Sequence, residues 1–154
     1  MYKILFVCTG DTCRSPMARE IFNKKIRQKG IKSVKSYSGG IFVNQDETKL
    51  ASGSRFALSF FNIKRVRHQA HQITQDYMDE FDLIITMTYS QKIKLLELFP
   101  VATNVYCMAE ITQGVDVLDP YGKDNNTYLE TARYLDHATD QILELLYREG
   151  KLKW

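Results

Sequence analysis

The chain of 154 residues contains little that would build a special architecture. Three prolines and eight glycines exclude a collagen-like or proline-rich low-complexity organisation. No apolar run approaches the roughly 18 residues of a membrane-spanning helix, so no membrane association is expected. Met1-Tyr2-Lys3-Ile4 enters a strand pattern directly, without the layout of a signal peptide. A cytoplasmic setting is the resulting expectation. The three cysteines, Cys8, Cys13 and Cys107, are odd in number and show no metal-ligand spacing. They exclude a disulfide framework, and neither a metal nor a cofactor is expected. The net charge of +3 is mild, and no recognised nucleic-acid module accompanies it. Nucleic acid is therefore not an expected partner. The basic groups Lys24, Lys25, Arg27 and Lys29, then Lys64, Arg65 and Arg67, read as solvated surface; steering of an anionic substrate is the sharper alternative.

What is present is an ordinary globular composition, 44% hydrophobic and 25% charged, of a length that one domain spanning 1–154 can use to bury a full core. Strand and helix patterns alternate. Strands are expected at 3–7, 34–38, within 81–87 and at 104–107; helices at 16–28, 47–60, 89–98 and roughly 126–148. Asp46 or Thr48 could cap the second helix, and Gly30 stands just past the end of the first. Cys107 reads as a buried strand residue. The irregular segments are roughly 39–46 and 109–125. Continuous apolar strands alternating with helices imply an α/β fold with a parallel sheet covered on both faces. Ligands of such sheets sit at the carboxyl ends of strands, and Cys8 lies at one.

The most informative stretch is Cys8-Thr9-Gly10-Asp11-Thr12-Cys13-Arg14-Ser15-Pro16. Five residues between a thiol and a guanidinium can curl so that backbone N–H groups point inward. A helix N-terminus then adds free N–H groups and the positive end of its dipole. The result is a cradle for a phosphate-sized dianion with a nucleophile at its base. The same field favours thiolate at Cys8.

The run Val7–Ala18 resembles the signature of the low-molecular-weight protein-tyrosine phosphatases. So do Asp119-Pro120-Tyr121, which has the form of the family's general-acid loop, Ser38-Gly39-Gly40, and His68-Gln69-Ala70-His71-Gln72-Ile73-Thr74. The matches span nearly the whole chain in the family order. The resemblance implies a three-layer α/β/α fold around a four-stranded parallel sheet, and phosphorylated proteins as substrates of a cofactor-free enzyme; the oligomeric state stays open, with a monomer favoured. Within the family, Thr12 where a bulky aliphatic residue is usual, Gly122 after Tyr121, and Thr88 after Met87 are similar to the bacterial protein-arginine phosphatases. Phosphoarginine is thus the implied substrate and phosphotyrosine the alternative. An arsenate reductase would need more relay cysteines than Cys107 offers, and a phospho-residue binding module would not need Cys8, Arg14, Ser15 and Asp119 together.

By the resemblance, Cys8 attacks phosphorus and forms a phosphocysteine, Arg14 grips two phosphate oxygens, and Asp119 protonates the leaving atom and then activates water. Asp116 and Asp124 are weaker candidates for that acid. Ser15 donates to the Cys8 thiolate, compatibly with an N-cap. Thr9, Gly10, Asp11, Thr12 and Cys13 complete the binding loop, with Gly10 where a side chain would block the backbone. Thr12 faces the pocket mouth, and Phe42 and Tyr121 form cleft walls. Ser38 and His68 belong to a supporting network. Cys8 and Cys13 share a loop, so a reversible disulfide is an open reading beside plain loop filling. Asp11 stands where the family usually has Asn. It tolerates the left-handed backbone, but its carboxylate is expected to raise the Cys8 pKa unless a His68 imidazolium offsets it. An attenuated or pH-shifted enzyme follows.

Overall fold

The computed structural model describes residues 1–152. Four parallel strands form one sheet in the order β2-β1-β3-β4: β1 (Tyr2–Cys8), β2 (Val34–Gly40), β3 (Leu83–Thr86) and β4 (Val105–Cys107). The helices are α1 (Arg14–Gln28), α2 (Ser52–Ser59), α3 (Gln75–Met78), α4 (Tyr89–Leu98), α5 (Met108–Thr112) and α6 (Asn125–Arg148). The expected three-layer α/β/α architecture is present.

Period-two alternation along β1 divides the core. Ile4, Phe6 and Cys8 join α1, α2 and α6 through Met17, Ile21, Leu58, Leu135 and Ile142. Leu5 and Val7 face the other way, onto Ile73, Met78 and Leu95. All of these apart from Ile73, Met78 and Cys8 are at most 2% exposed. Burial on both faces is why the strands read as continuous apolar runs. No helix among the described residues is long and apolar enough to cross a membrane.

Three expectations need correction. The second helix starts at Ser52, not at 47, and neither Asp46 nor Thr48 caps it. The Ala51 N–H instead donates to the Thr12 carbonyl at 3.1 Å, so residues 44–51 stay in a loop beside the catalytic-type loop. The segment 109–125 holds α5, whose Glu110 carboxylate accepts the Cys107 N–H as part of a capping box. The short α3 also escaped periodicity; Thr74 caps it by accepting the Tyr77 N–H.

Candidate active site

The segment between β1 and α1 wraps around a pocket lined by Cys8, Thr9, Gly10, Thr12, Cys13, Arg14, Asn44, Glu47, Asp119 and Tyr121. The carbonyls of Cys8, Thr9 and Thr12 turn outward, to the N–H groups of Ile41, Phe42 and Ala51. The Asp11 carbonyl accepts from His68 Nε2 at 2.6 Å. In a planar trans peptide the N–H points opposite the C=O. The following N–H groups, of Thr9, Gly10, Thr12 and Cys13, therefore turn inward, an anion nest that side chains alone could not form.

Neighbouring segments hold this loop. Gln91 donates to Thr9 Oγ1 at 3.2 Å, and its own oxygen accepts the N–H groups of Met87 and Thr88. The segment 68–73 runs beside the end of β2, where the Gly40 N–H donates to the His71 carbonyl. A Cβ on Gly40 would lie 2.9 Å from the Thr9 carbonyl oxygen, which explains the Ser38-Gly39-Gly40 pattern. Gly10 has no such need: nothing lies within 4 Å of a Cβ there, and its φ is not left-handed. The left-handed residue of the loop is Asp11, with φ of 56°.

Ser15 is inside α1 and is not its N-cap; that position belongs to Cys13. Its Oγ lies 2.9 Å from Cys8 Sγ and 2.7 Å from Asp11 Oδ1. Asp11 is fully buried behind the loop, so it does not line the pocket. Its Oδ2 accepts the His71 N–H at 2.9 Å. Burial pushes the Cys8 thiol up, and an ionised Asp11 adds to this; Ser15 and Arg14 pull it down. The expected preference for thiolate is thus opposed by burial and by Asp11.

His68 is not the imidazolium that could have offset the Asp11 charge. Its Nδ1 is 2.8 Å from Arg19 Nη1, and a guanidinium can only donate. Nδ1 is therefore an acceptor and Nε2 carries the sole proton, which it gives to the Asp11 carbonyl. Burial also lowers the His68 pKa. Ser38 joins this network by accepting from Arg19 Nη1 at 2.9 Å. Arg19 escaped the sequence reading, although it lies four residues after Ser15, on the same helix face.

Arg14 donates from Nη1 to the Val117 carbonyl at 3.0 Å and places Nη2 at 3.6 Å from Asp119 Oδ2. Val117 is buried and its N–H donates to the Met87 carbonyl, anchoring the loop that carries Asp119. Asp116 accepts the Tyr89 N–H, and Asp124 caps α6 by accepting the Thr127 N–H; neither lines the pocket. Tyr121 is a wall, and its hydroxyl donates to Glu47. Phe42 is not: it is exposed outside the pocket lining, with Lys94 Nζ 5.7 Å from its ring centre. Asn44 and Glu47 are lining residues that sequence reasoning missed, because no periodicity marks a loop wall. Cys13 is buried and its Sγ meets Tyr128 Oη at 3.4 Å; all three cysteines are free. Cys107 closes β4.

A thiol, a guanidinium and a carboxylate thus converge on a ring of inward N–H groups. The profile of the low molecular weight phosphotyrosine protein phosphatases matches residues 3–152, and the chain belongs to that family. The family acts through a cysteine, and this chain is a cysteine-dependent protein phosphatase. It is 30% identical over 151 residues to a protein-arginine-phosphatase of Bacillus subtilis (strain 168), covering 96% of this chain and 99% of that one. It is 31% identical over 137 residues to the low molecular weight protein-tyrosine-phosphatase PtpB of Staphylococcus aureus, covering 84% and 88%. A solved structure of the YwlE arginine phosphatase, a cysteine-to-serine mutant with a phosphorylated active-site serine, superposes with a TM-score of 0.88 at 28% identity, covering 98% and 99%.

Proposed function

We propose that the protein removes phosphate from phosphoarginine on other proteins, with Cys8 as nucleophile, Arg14 as the phosphate clamp and Asp119 as acid and base. The observation that carries the substrate choice is the pocket wall: Thr12, Glu47 and Asp119 present oxygens around the mouth. A guanidinium is planar, cationic and rich in N–H donors, so it can add bonds to these oxygens beside those that Glu47 and Asp119 already accept from Tyr121 and Arg14, whereas a phenyl ring offers them none. The relative in Bacillus subtilis, named for arginine phosphatase activity, agrees with this choice.

In this reading the phosphoryl group rests on the inward N–H groups of the loop and on Arg14. The Cys8 thiolate attacks phosphorus in line as the P–N bond breaks. Asp119 gives its proton to the departing nitrogen. The same carboxylate then takes a proton from water, which attacks the phosphocysteine and releases inorganic phosphate. Ser15 and the N–H groups of the loop steady the departing thiolate. The setting is the cytoplasm, where thiols stay reduced.

A second reading, phosphotyrosine, is favoured by the aromatic wall at Tyr121. Phosphate release from matched phosphoarginine and phosphotyrosine peptides separates the two. A kcat/KM at least about tenfold higher for phosphoarginine is expected. An equal or reversed preference overturns the arginine assignment.

A further inference from the structure

The donor count around Ser15 assigns a role to the unusual carboxyl of Asp11. Ser15 Oγ sits between Cys8 Sγ at 2.9 Å and Asp11 Oδ1 at 2.7 Å, and all three groups are buried. A serine hydroxyl has one hydrogen. If Ser15 gives it to an ionised Asp11, only a protonated Cys8 can fill the other contact. If Ser15 gives it to a Cys8 thiolate, only a protonated Asp11 can.

We propose that Cys8 and Asp11 share one proton across Ser15, and that the nucleophilic form is Cys8 thiolate with Asp11 as carboxylic acid. The two arrangements interconvert without solvent. The Cys8 S–H bond breaks and sulfur keeps the electron pair. That proton joins Ser15 Oγ as the proton already on Ser15 passes to Asp11 Oδ1. Atoms and net charge are the same before and after. The role rests on the phosphatase reading of Cys8, and it makes Asp11 a positioning residue that acts through Ser15.

The surroundings of Asp11 support the acid form. Oδ2 is committed as an acceptor to the His71 N–H, so the proton belongs on Oδ1, facing Ser15. An amide with its oxygen at Oδ2 would present an N–H to Ser15 in the same place. It could not take up a proton. The groups facing Asp11 are Cys8 from β1, Ser15 and Arg19 from α1, Ser38 from β2, and His68, His71 and Tyr77 from the segment after α2. His68 is neutral, as its contact with Arg19 requires. Arg19 spends its Nη1 on Ser38 and His68, and its Nε faces Glu20. The His71 ring is turned away and stacks on Tyr77 at 3.8 Å. His68 Nε2 lies 3.9 Å from Asp11 Oδ2, but as a neutral ring it brings no charge; among the described residues no other cationic side chain pairs with the Asp11 carboxyl, and a buried charge without a partner is strongly disfavoured. Burial accordingly holds this carboxyl above the ordinary carboxylate range.

Two sites sharing a proton titrate as a pair, in two steps. Cys8 reactivity is read as the rate of iodoacetamide alkylation across pH, with the modified peptide located by mass spectrometry to separate Cys8 from Cys13 and Cys107. In the wild-type protein the rate should rise in two steps separated by a plateau of about one pH unit or more. Asp11→Asn should give one step, with its midpoint about one unit or more below the alkaline step of the wild type. Ser15→Ala should abolish the plateau. Infrared spectra of the wild type on the plateau should contain a buried carboxylic-acid C=O band that Asp11→Asn removes. A single step in the wild type overturns the proposal, as does absence of the infrared band. The wild-type curve and spectrum decide even if a variant fails to fold. Alkylation requires no turnover, so failure to release phosphate would count against the phosphatase reading alone.

Discussion

Arg14 and Asp119 face each other across the pocket, Nη2 to Oδ2 at 3.6 Å, from residues 105 positions apart in the chain. The guanidinium is buried and the carboxylate is 57% exposed. Such a pair contributes at most about 1 kcal/mol to stability. Asp119→Asn should therefore leave the melting temperature nearly unchanged while lowering kcat by about 10²- to 10⁴-fold. A large loss of stability with retained turnover would remove Asp119 from the chemistry.

Arg14→Lys keeps the charge but loses the planar fork that reaches the Val117 carbonyl and that, in the proposed role, would span two phosphate oxygens. Steady-state kinetics should show kcat/KM down by about 10²-fold or more. Near-wild-type kinetics would mean that the loop N–H groups suffice to hold the phosphate.

Thr12 lines the pocket, and its carbonyl is pinned by the Ala51 N–H and by Ser54. The backbone will thus hold when the side chain changes. Thr12→Ile should move the ratio of phosphoarginine to phosphotyrosine kcat/KM toward tyrosine by about tenfold or more. An unchanged ratio would sink the argument from the pocket mouth.

Asp11 supplies a pH test of stability. Burial raises its folded-state pKa, so between the ordinary carboxylate range and that raised value the folded protein binds more protons than the unfolded one. Its contribution therefore falls as pH rises through that window and is neutral below it. Asp11→Asn lacks this penalty. The variant should melt higher than the wild type at pH 7, and the gap should close below about pH 4. Each tenfold shift in the proton equilibrium corresponds to about 1.4 kcal/mol. A gap independent of pH would place its origin elsewhere.

Gly53 opens the turn of α2 that packs on α6. A Cβ there would sit 2.2 Å from Tyr128 Cδ2. Gly53→Ala should cost about 1–3 kcal/mol by overpacking, or about 3 °C of melting temperature per kcal/mol. Because Tyr128 touches Cys13, the alkylation rate of Cys13 should also change. Wild-type stability would show that the tyrosine can move aside freely.

Much of the scaffold was legible. The four strands announced themselves as short apolar runs, and α1 and α6 fell within two residues of their expected bounds. The exceptions were α3, α5 and the start of α2, where helices of four, five and eight residues carry too few turns to show a period. Caps signal such elements better: Thr74 before Tyr77 and Cys107 before Glu110 are both three residues apart.

The candidate site was legible where it is local. A thiol and a guanidinium six positions apart, after an apolar strand and before a helix, can close only a small loop. What tertiary structure alone decided is what surrounds that loop. Phe42 and Glu47 are both exposed loop residues, yet only Glu47 faces the pocket, because Tyr121 from a distant segment draws it there. The charge states were decided the same way. His68 is neutral because Arg19 donates to its Nδ1, and Asp11 is driven toward the acid because burial strips its carboxyl of water, against the pull of the donors His71 and Ser15. Residue identity sets which protons a side chain can hold; only packing sets which it does, since solvation and hydrogen-bond partners are properties of the folded chain.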